Sequence, residues 1–121
     1  MSSSLQTGVL GEDVAIEFLK QRGYRIHYRN WRHKNLEVDV IAEERGILVF
    51  VEVKTRTHHA YCMPYEFVDA AKQAKLIRAA NQYIAAHRYG GEIRFDVVSI
   101  LYSKEKNTYD TRLIRDAFWP D

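Results

Sequence analysis

Two short segments of the chain carry acidic and basic side chains at the two-residue spacing of a β-strand. Glu37 and Asp39 form one pair, and Glu52 and Lys54 form the other. Residues two apart lie on the same face of a strand, so each pair is expected to point to one side. Carboxylates gathered on one face repel each other unless a cation compensates, and oxygen ligands of this kind suit Mg²⁺ or Mn²⁺. A lysine beside such an ion could hold an attacking water or offset the charge on a phosphate.

The same alternation also fits a simpler interpretation. An antiparallel hairpin with one solvated face shows polar residues at this spacing, and Glu/Lys pairs across strands are common. Taken alone, the two segments favour that simpler interpretation over a metal site.

A further acidic residue shifts the balance towards a metal site. Glu12 precedes Ala15 and Leu19 by three and seven residues, so it extends the apolar stripe of a predicted helix. An acid at a helix start often only interacts with the helix dipole. Here, however, Gly8 and Gly11 flank the turn and permit close approach to another backbone. A carboxylate directed at a sheet from this turn could complete the metal site.

The second predicted helix repeats this pattern. Gln73 precedes Leu76 and Ala80 by three and seven residues, and Lys72 lies beside it. Such residues are often boundary side chains that only reach towards solvent. We therefore treat Lys72 and Gln73, together with Glu37, as accessory candidates for the same site.

The elements that must position these residues are predicted in the order α-β-β-β-α-β-β. Helices are predicted over about residues 8–22 and 68–89, with Gly23 ending the first, Asp69 as N-cap of the second, and Gly90-Gly91 ending it. Alternating patterns predict strands over residues 24–29, 36–42, 47–54, 93–102 and 109–114. This order is typical of an α/β fold with a mixed sheet flanked by helices, in one domain over residues 1–121 with a core at about 8–118.

The register of the second and third strands decides whether the acidic residues meet. If residues 43–46 form the loop, Ala42 lies opposite Ile47, and Glu37 lies opposite Glu52. Glu37, Asp39, Glu52 and Lys54 then share one face, while residues 36, 38, 40 and 42 share the other. A one-residue bulge would break this agreement.

Charge and composition neither require nor exclude a nucleic-acid partner. The 18 Lys and Arg residues against 16 Asp and Glu give a net charge of +2, so a basic footprint must come from local clustering. The residues proposed to contact phosphates or bases are Arg29, Trp31, Arg32, Lys34 and Arg56. Alternatively, the arginines form a solvated face and the aromatic residues belong to the core.

The cellular setting expected from the sequence is cytoplasmic. Cys62 is the only cysteine, which excludes an internal disulfide and fits a reducing compartment. Its surroundings favour a plain loop or core thiol, and the adjacent His58 and His59 have no cysteine partners for zinc. The first residues do not form a signal peptide, and no apolar run reaches the ~18 residues that span a bilayer. We expect a soluble protein without a membrane partner.

These residues carry a resemblance to a known family. Asp39, followed after twelve residues by Glu52-Val53-Lys54, resembles the D…E-x-K signature of the PD-(D/E)xK nuclease superfamily. More narrowly, residues 8 to 118 resemble the uncharacterised bacterial YraN-type family. The matching segments are Gly11-Glu12, Gly23-Tyr24, Asn30-Trp31-Arg32, residues 37–42 and 49–56, Lys72 with the helix after it, residues 94–98, and Ala117-Phe118. One departure is Leu36, where a small glycine usually precedes the Glu-x-Asp segment.

The resemblance implies a restriction-endonuclease-like core related to Holliday-junction resolvases. It places Glu12, Asp39, Glu52 and Lys54 at the catalytic positions, with Mg²⁺ or Mn²⁺ bound by the three carboxylates. The expected activity is phosphodiester hydrolysis in DNA or RNA, with DNA favoured. The alternative is a module that binds nucleic acid or protein and keeps the nuclease fold with little or no catalysis. The sequence leaves the oligomeric state open, although junction resolution would require a homodimer.

Overall fold

The computed structural model describes residues 4–57 and 68–120, with side chains from residue 11 onward. The helices and strands are α1 (Ser4–Gln21), β1 (Arg25–His33), β2 (Leu36–Glu44), β3 (Ile47–Thr57), α2 (Ala70–His87), β4 (Ile93–Ser103) and β5 (Thr108–Ile114). The expectations for His58, His59 and Cys62 lie outside the described residues. Within the described ranges, neither helix is long and apolar enough to cross a membrane.

The five strands form one mixed sheet in the order β1-β2-β3-β4-β5. Neighbouring strands are antiparallel except for β3 and β4, which are parallel. A parallel pair needs a crossover connection, and α2 lies in the segment between these two strands. The predicted mixed α/β arrangement, with a sheet flanked by helices, is therefore confirmed.

The two helices cover opposite faces of the sheet. On the α1 face, the core consists of Ala15, Ile16, Leu19, Tyr24, Val40, Ala42, Val49, Val51, Val98 and Ile100. On the α2 face, it consists of Val38, Ile41, Leu48, Phe50, Leu76, Ala79, Ala80, Tyr83 and Phe95. Burial of apolar side chains on both faces is the main stabilising contribution and fixes where each helix lies.

The helix ends follow two of the three predicted capping assignments. Gly23 has φ +90 after α1, and the Asp69 side chain accepts a hydrogen bond from Lys72 N at the start of α2 (2.8 Å). The prediction that Gly90-Gly91 ends α2 was wrong, because Arg88 takes the left-handed conformation instead. Tyr89 N then bonds to Ile84 O and the Tyr89 ring packs on the α2-face core, which requires the chain to turn at Arg88.

The β2–β3 connection is shorter than predicted. Arg45 and Gly46 alone form the turn, both with positive φ (52 and 81), and Glu44 pairs with Ile47. The register therefore differs by two residues from the prediction, so that Val40 lies opposite Val51 and Glu37 is not opposite Glu52. A two-residue shift leaves the side chains of β3 on their predicted faces, because the period of a strand is two.

Strand β1 does not keep the predicted alternation. The rings of Tyr28 and Trp31, three residues apart, both contact Tyr83 on the α2 face, at centroid distances of 5.8 and 5.5 Å. In a regular strand they would point to opposite faces. Asn30, which lies between them, has φ 55 and reverses the alternation.

Strand β2 changes face at the matching position. Val38 and Ile41 belong to the α2-face core, whereas Val40 and Ala42 belong to the α1-face core. The prediction that residues 36, 38, 40 and 42 share one face was therefore wrong. The reversal falls between Val38 and Val40, at Asp39.

A buried ionic network holds the end of the sheet nearest the β2–β3 turn. Asp96 is 1% exposed and accepts hydrogen bonds from Tyr24 Oη (2.7 Å) and from Arg94. Arg94 also donates to Glu44, which Arg115 contacts from beyond β5 at 2.6 Å. Both oxygens of the buried Asp96 carboxylate accept hydrogen bonds, because an unpaired carboxylate there would be costly.

We expect Glu44→Gln to weaken this network in a pH-dependent way. The hydrogen bond from Arg115, followed by that from Arg94, lowers the pKa of Glu44 to about 2 from 4.5. Because the folded pKa lies below the unfolded one, the stabilisation is complete above about pH 4.5 and is lost as the pH falls towards about 2. The free energy of unfolding should therefore drop by about 3 kcal/mol near neutral pH, with a smaller difference in acid. Urea denaturation measures both.

The control is Glu17→Gln, since the Glu17 side chain is 69% exposed on α1. It should change stability little at any pH. A loss for Glu44→Gln that stays constant from neutral to acidic pH would contradict the role given to its ion pairs.

Candidate active site

The site lies where β2 and β3 separate. Their ladder runs from Glu44 opposite Ile47 to Val40 opposite Val51, whereas β3 continues alongside β4 as far as Thr57. Just past the last rung, Val53 N donates a hydrogen bond to Asp39 Oδ2 (2.8 Å). The Asp39 carboxylate thus takes the place of a backbone acceptor for the Val53 N–H, which lies beyond the last residue pair of β2 and β3.

Asp39, which is half-buried, and Glu52 form a carboxylate pair in this gap. Glu52 is 4% exposed. Burial, and after it the negative charge of Glu52, raises the pKa of Asp39 to about 7 from 3.8. Two carboxylates this close cannot both ionise without cost, so the pair holds a proton or attracts a cation near neutral pH.

Two lysines approach the pair from different elements. Lys54 Nζ and Lys72 Nζ each lie 3.6 Å from Glu52 Oε2. The predicted proximity of Glu52 and Lys54 follows from their two-residue spacing on β3. Lys72 lies in the first turn of α2, where the helix dipole disfavours a positive charge, and Glu52 compensates that cost. The structure therefore brings Lys72 to the acidic pair.

Gln73, the other accessory candidate on α2, is engaged elsewhere. Its Nε2 donates to Val68 O (2.9 Å), one residue before the N-cap. This hydrogen bond fastens the start of α2, which carries Lys72 to the gap.

Glu12 lies over the gap from the α1 face. The adjacent Gly11 packs so closely on Thr55 of β3 that a Cβ there would overlap Thr55 Oγ1. Glu12 Oε1 accepts a hydrogen bond from Asn30 Nδ2 of β1 (3.0 Å) and lies 3.6 Å from Arg29 Nε. Since Thr55 and Asn30 lie on the strands either side of β2, this turn of α1 bridges the gap that Asp39 occupies. The glycine permits a close approach, as expected, although the contact is a side chain.

Glu37 does not join the acidic pair. Its Oε2 lies 3.3 Å from Arg32 Nη2, on the side towards β1. The face reversal at Asp39 separates the directions of the two side chains, which the sequence had placed together. This part of the predicted constellation was wrong.

The carboxylates present fit a divalent cation only as a pair. Across residues 4–57 and 68–120, no three or more His, Cys, Asp or Glu side chains converge into a metal-ligating cluster. Of the predicted ligands, Asp39 and Glu52 are together, and Glu12 is held by Asn30 and Arg29. One or two protein carboxylates, with waters completing the shell, are what Mg²⁺ usually takes. The raised pKa of Asp39 shows that ionising this carboxyl beside Glu52 is unfavourable, and a bound cation would offset that repulsion.

The basic and aromatic residues proposed for nucleic-acid contact have partners within the protein. Arg29 Nη2 lies 2.6 Å from Asp13 Oδ1, and Arg32 is paired with Glu37. The half-buried ring of Trp31 stacks on His33 at 6.2 Å and meets Tyr83 edge to face. These contacts fit the alternative of a solvated arginine face above a packed aromatic residue.

The two remaining basic candidates lie at ends of strands. Lys34 is exposed in the β1–β2 turn, with φ 56. Arg56 is half-buried near the end of β3 and donates to Thr55 O (2.9 Å). A role in nucleic-acid binding stays a prediction for all five residues.

The sequence argument missed Asn30 and Thr55. The strand is predicted to end at residue 29, but β1 continues to His33. The available signal was the residue type, since asparagine is among the few non-glycine residues that tolerate a left-handed backbone. Thr55 carries no comparable signal, because its importance comes only from the helix packed on it.

Comparison with known proteins places the chain in a family. The model of the Uncharacterised protein family UPF0102 matches residues 11–100, a range that includes Glu12, Asp39, Glu52, Lys54 and Lys72. The chain belongs to this family. A UPF0102 protein of Symbiobacterium thermophilum is 47% identical over 118 residues, covering 95% of this chain and 98% of the relative. A UPF0102 protein of Flavobacterium psychrophilum is 38% identical over 119 residues, covering 98% of both chains. The expectation of an uncharacterised bacterial family is confirmed to this extent.

We expect Asp39→Asn to stabilise the metal-free protein, and to do so more as the pH rises. The pKa of Asp39 is raised by burial and by Glu52, so the folded state binds the proton more tightly than the unfolded state. Stability therefore falls as the pH rises from about 4 to about 7. Asparagine stays neutral and still accepts from Val53 N. With a chelator present, the variant should gain about 1 to 3 kcal/mol near pH 8 and little near pH 4.

Chemical denaturation across this pH range measures the gain. Asp110→Asn is the matched control, because the Asp110 side chain is 58% exposed. If the free energies of unfolding of Asp39→Asn and the unmodified protein run parallel across the pH range, repulsion between Asp39 and Glu52 is ruled out.

The close contact of α1 with β3 generates a second expectation at this site. A Cβ at Gly11 would overlap Thr55 Oγ1 and lie 3.3 Å from Thr55 Cβ, so Gly11→Ala should destabilise by about 1 to 3 kcal/mol. Removing the hydroxyl with Thr55→Ala in the same chain should recover part of the loss. Gly90→Ala, at a glycine with open space around it, is the control. Strictly additive effects of the two substitutions in thermal unfolding would show that they do not touch.

Proposed function

We propose that this protein is a divalent-metal-dependent phosphodiesterase that acts on nucleic acid, with DNA favoured over RNA. The observation that carries the proposal is the pairing of Asp39 with Glu52 in a gap of the sheet, with Lys54 3.6 Å from Glu52. This is the charge arrangement that a D…E-x-K sequence would need. The fold proposed on the same grounds is the restriction-endonuclease-like core of the PD-(D/E)xK superfamily.

Each residue has a chemical role in this proposal. Asp39 and Glu52 would hold Mg²⁺ or Mn²⁺, and Glu12 would add an oxygen from the α1 face, directly or through a water. The ion would supply Lewis acidity at a phosphate oxygen and lower the pKa of a bound water. Lys54 would orient the attacking water and offset the charge that develops on the phosphate. Water adds to phosphorus, the bond to one ester oxygen breaks, and that oxygen leaves with a proton as a hydroxyl.

The lysines have a role both in the protein alone and in the proposed metal complex. In the structure Lys54 and Lys72 compensate Glu52, whose side chain is 5% exposed. Once Glu52 is bound to a cation, the two ammonium groups become available for phosphate oxygens. The Lys72 side chain is 37% exposed, so it has the freedom to move towards a substrate at the surface.

The proposal is tested by metal binding and by cleavage. Mg²⁺ or Mn²⁺ near neutral pH should stabilise the unmodified protein by roughly 1 to 3 kcal/mol at saturation. Glu52→Gln should remove most of that gain, and Glu17→Gln, on the exposed face of α1, should keep it. Cleavage should be screened on single strands, duplexes, flaps and junctions with either ion, and both Glu52→Gln and Lys54→Ala should abolish it. Cleavage that survives Glu52→Gln would refute the proposed site.

A module that binds without cleaving is the second candidate. The observation in its favour is that Glu12 is engaged by Asn30 and Arg29, so that the described carboxylates do not form a three-ligand cluster. Oligonucleotide binding that is unaffected by chelator and by Glu52→Gln, with no cleavage on any substrate, would decide for this candidate. Sedimentation of the protein with a junction would show whether a homodimer forms.

A further inference from the structure

Asn30 holds a left-handed backbone in the interior of a strand. The other non-glycine residues with positive φ in the described chain are Lys34, Arg45, Arg88, Asn107 and Asp116, and all of these lie at turns or at a helix end. Asn30 has φ 55 and lies within β1, between Arg29, which pairs with Val40, and Trp31, which pairs with Val38. This conformation costs energy in an L-residue, so it persists where the surrounding structure requires it.

The conformation determines where the Asn30 side chain points. In a regular strand Asn30 would share the α2 face with Tyr28, away from α1. Its amide instead reaches Glu12 on α1, with Nδ2 donating to Oε1 at 3.0 Å. The left-handed backbone is therefore what brings the amide to the carboxylate.

The same residue lies beside the acidic pair. Arg29 pairs with Val40 and Trp31 pairs with Val38, which places Asn30 opposite Asp39. The two strands reverse their faces at this position. Glu12 is thereby hydrogen-bonded to the residue that lies across from Asp39.

The contacts of Glu12 leave one oxygen for another partner. Both Asn30 Nδ2 and Arg29 Nε approach Oε1, and no contact of Oε2 is found among the described residues. The Asn30 amide orients the carboxylate through a hydrogen bond that adds no charge, as a supporting group of a metal ligand does, whereas Arg29 adds a positive charge near the same oxygen.

We propose that Asn30 is a positioning residue that holds Glu12 Oε1 so that Oε2 faces a cation bound by Asp39 and Glu52. This inference rests on the proposed function. In this proposal the left-handed backbone at Asn30 serves the metal site by directing its side chain to Glu12. Asn30 therefore affects metal affinity only by orienting Glu12.

The test is a calorimetric titration of Mn²⁺ into folded variants near neutral pH. Asn30→Gly keeps the left-handed backbone and removes the amide, so it should fold and bind Mn²⁺ about tenfold more weakly. Asn107→Gly makes the same change at another left-handed asparagine, in the β4–β5 turn, and should leave the affinity unchanged. Asn30→Ala is the second variant if the glycine destabilises the strand, and it should weaken binding to the same extent.

A double-mutant cycle separates positioning from structural support. In a Glu12→Gln background, Asn30→Gly should produce no further loss of Mn²⁺ affinity, because the group it positions is gone. Equal weakening with and without Glu12, or an unchanged affinity in both Asn30 variants, overturns the inference while leaving the proposed function standing. An unmodified protein that binds no Mn²⁺, alone or with a short oligonucleotide, overturns the proposed function and this inference with it.

Discussion

The hydrogen bond from the Val53 amide to the Asp39 carboxylate is the contact on which the site depends. It ends the β2–β3 ladder and fixes the Asp39 side chain within the gap, close enough to Glu52 for the charges to interact. A backbone acceptor in its place would extend the pairing of β2 with β3 and leave no space between the strands for the Asp39 carboxylate. The lysines from β3 and α2 contact Glu52 at this gap, and the acid from α1 is held by Asn30 and Arg29 of β1.

The opposite end of the same strands is held together by ion pairs between arginines and carboxylates. There Glu44 and Asp96 are neutralised by Arg94 and Arg115, and their hydrogen bonds are complete. Near the β2–β3 turn both buried carboxylates are hydrogen-bonded to arginines, whereas at the gap both lysines contact Glu52 and the pKa of Asp39 is raised. This asymmetry distinguishes a structural ion-pair network from a candidate binding site, since only the second leaves a demand that a ligand can meet.

The sequence predicted what depends on local spacing and missed what depends on backbone geometry. Asp69 as N-cap, Gly23 after α1 and the shared face of Glu52 and Lys54 follow from residue type and period, and the structure has them. The two-residue error in the β2–β3 register came from assuming a longer turn, although Arg45 and Gly46 suffice. The reversal at Asn30 and Asp39 is invisible to periodicity, because an alternating pattern assumes that no residue leaves the extended region. Glu37 was placed in the site by that assumption, and Lys72 reached it by a tertiary contact that only a weak helical pattern suggested.

One carboxylate serves both as a rung of the sheet and as a candidate ligand. Elsewhere in the ladders, strand cohesion depends on peptide groups, whose chemistry does not change. At Val53 the contact between β3 and β2 depends on Asp39 Oδ2, an oxygen that can also bind a proton or a metal ion. A ligand that takes Oδ2 removes the rung and loosens β3 from β2, whereas a ligand that takes Oδ1 leaves the strands joined. Occupancy of the gap and local stiffness of the sheet are therefore coupled through a single side chain.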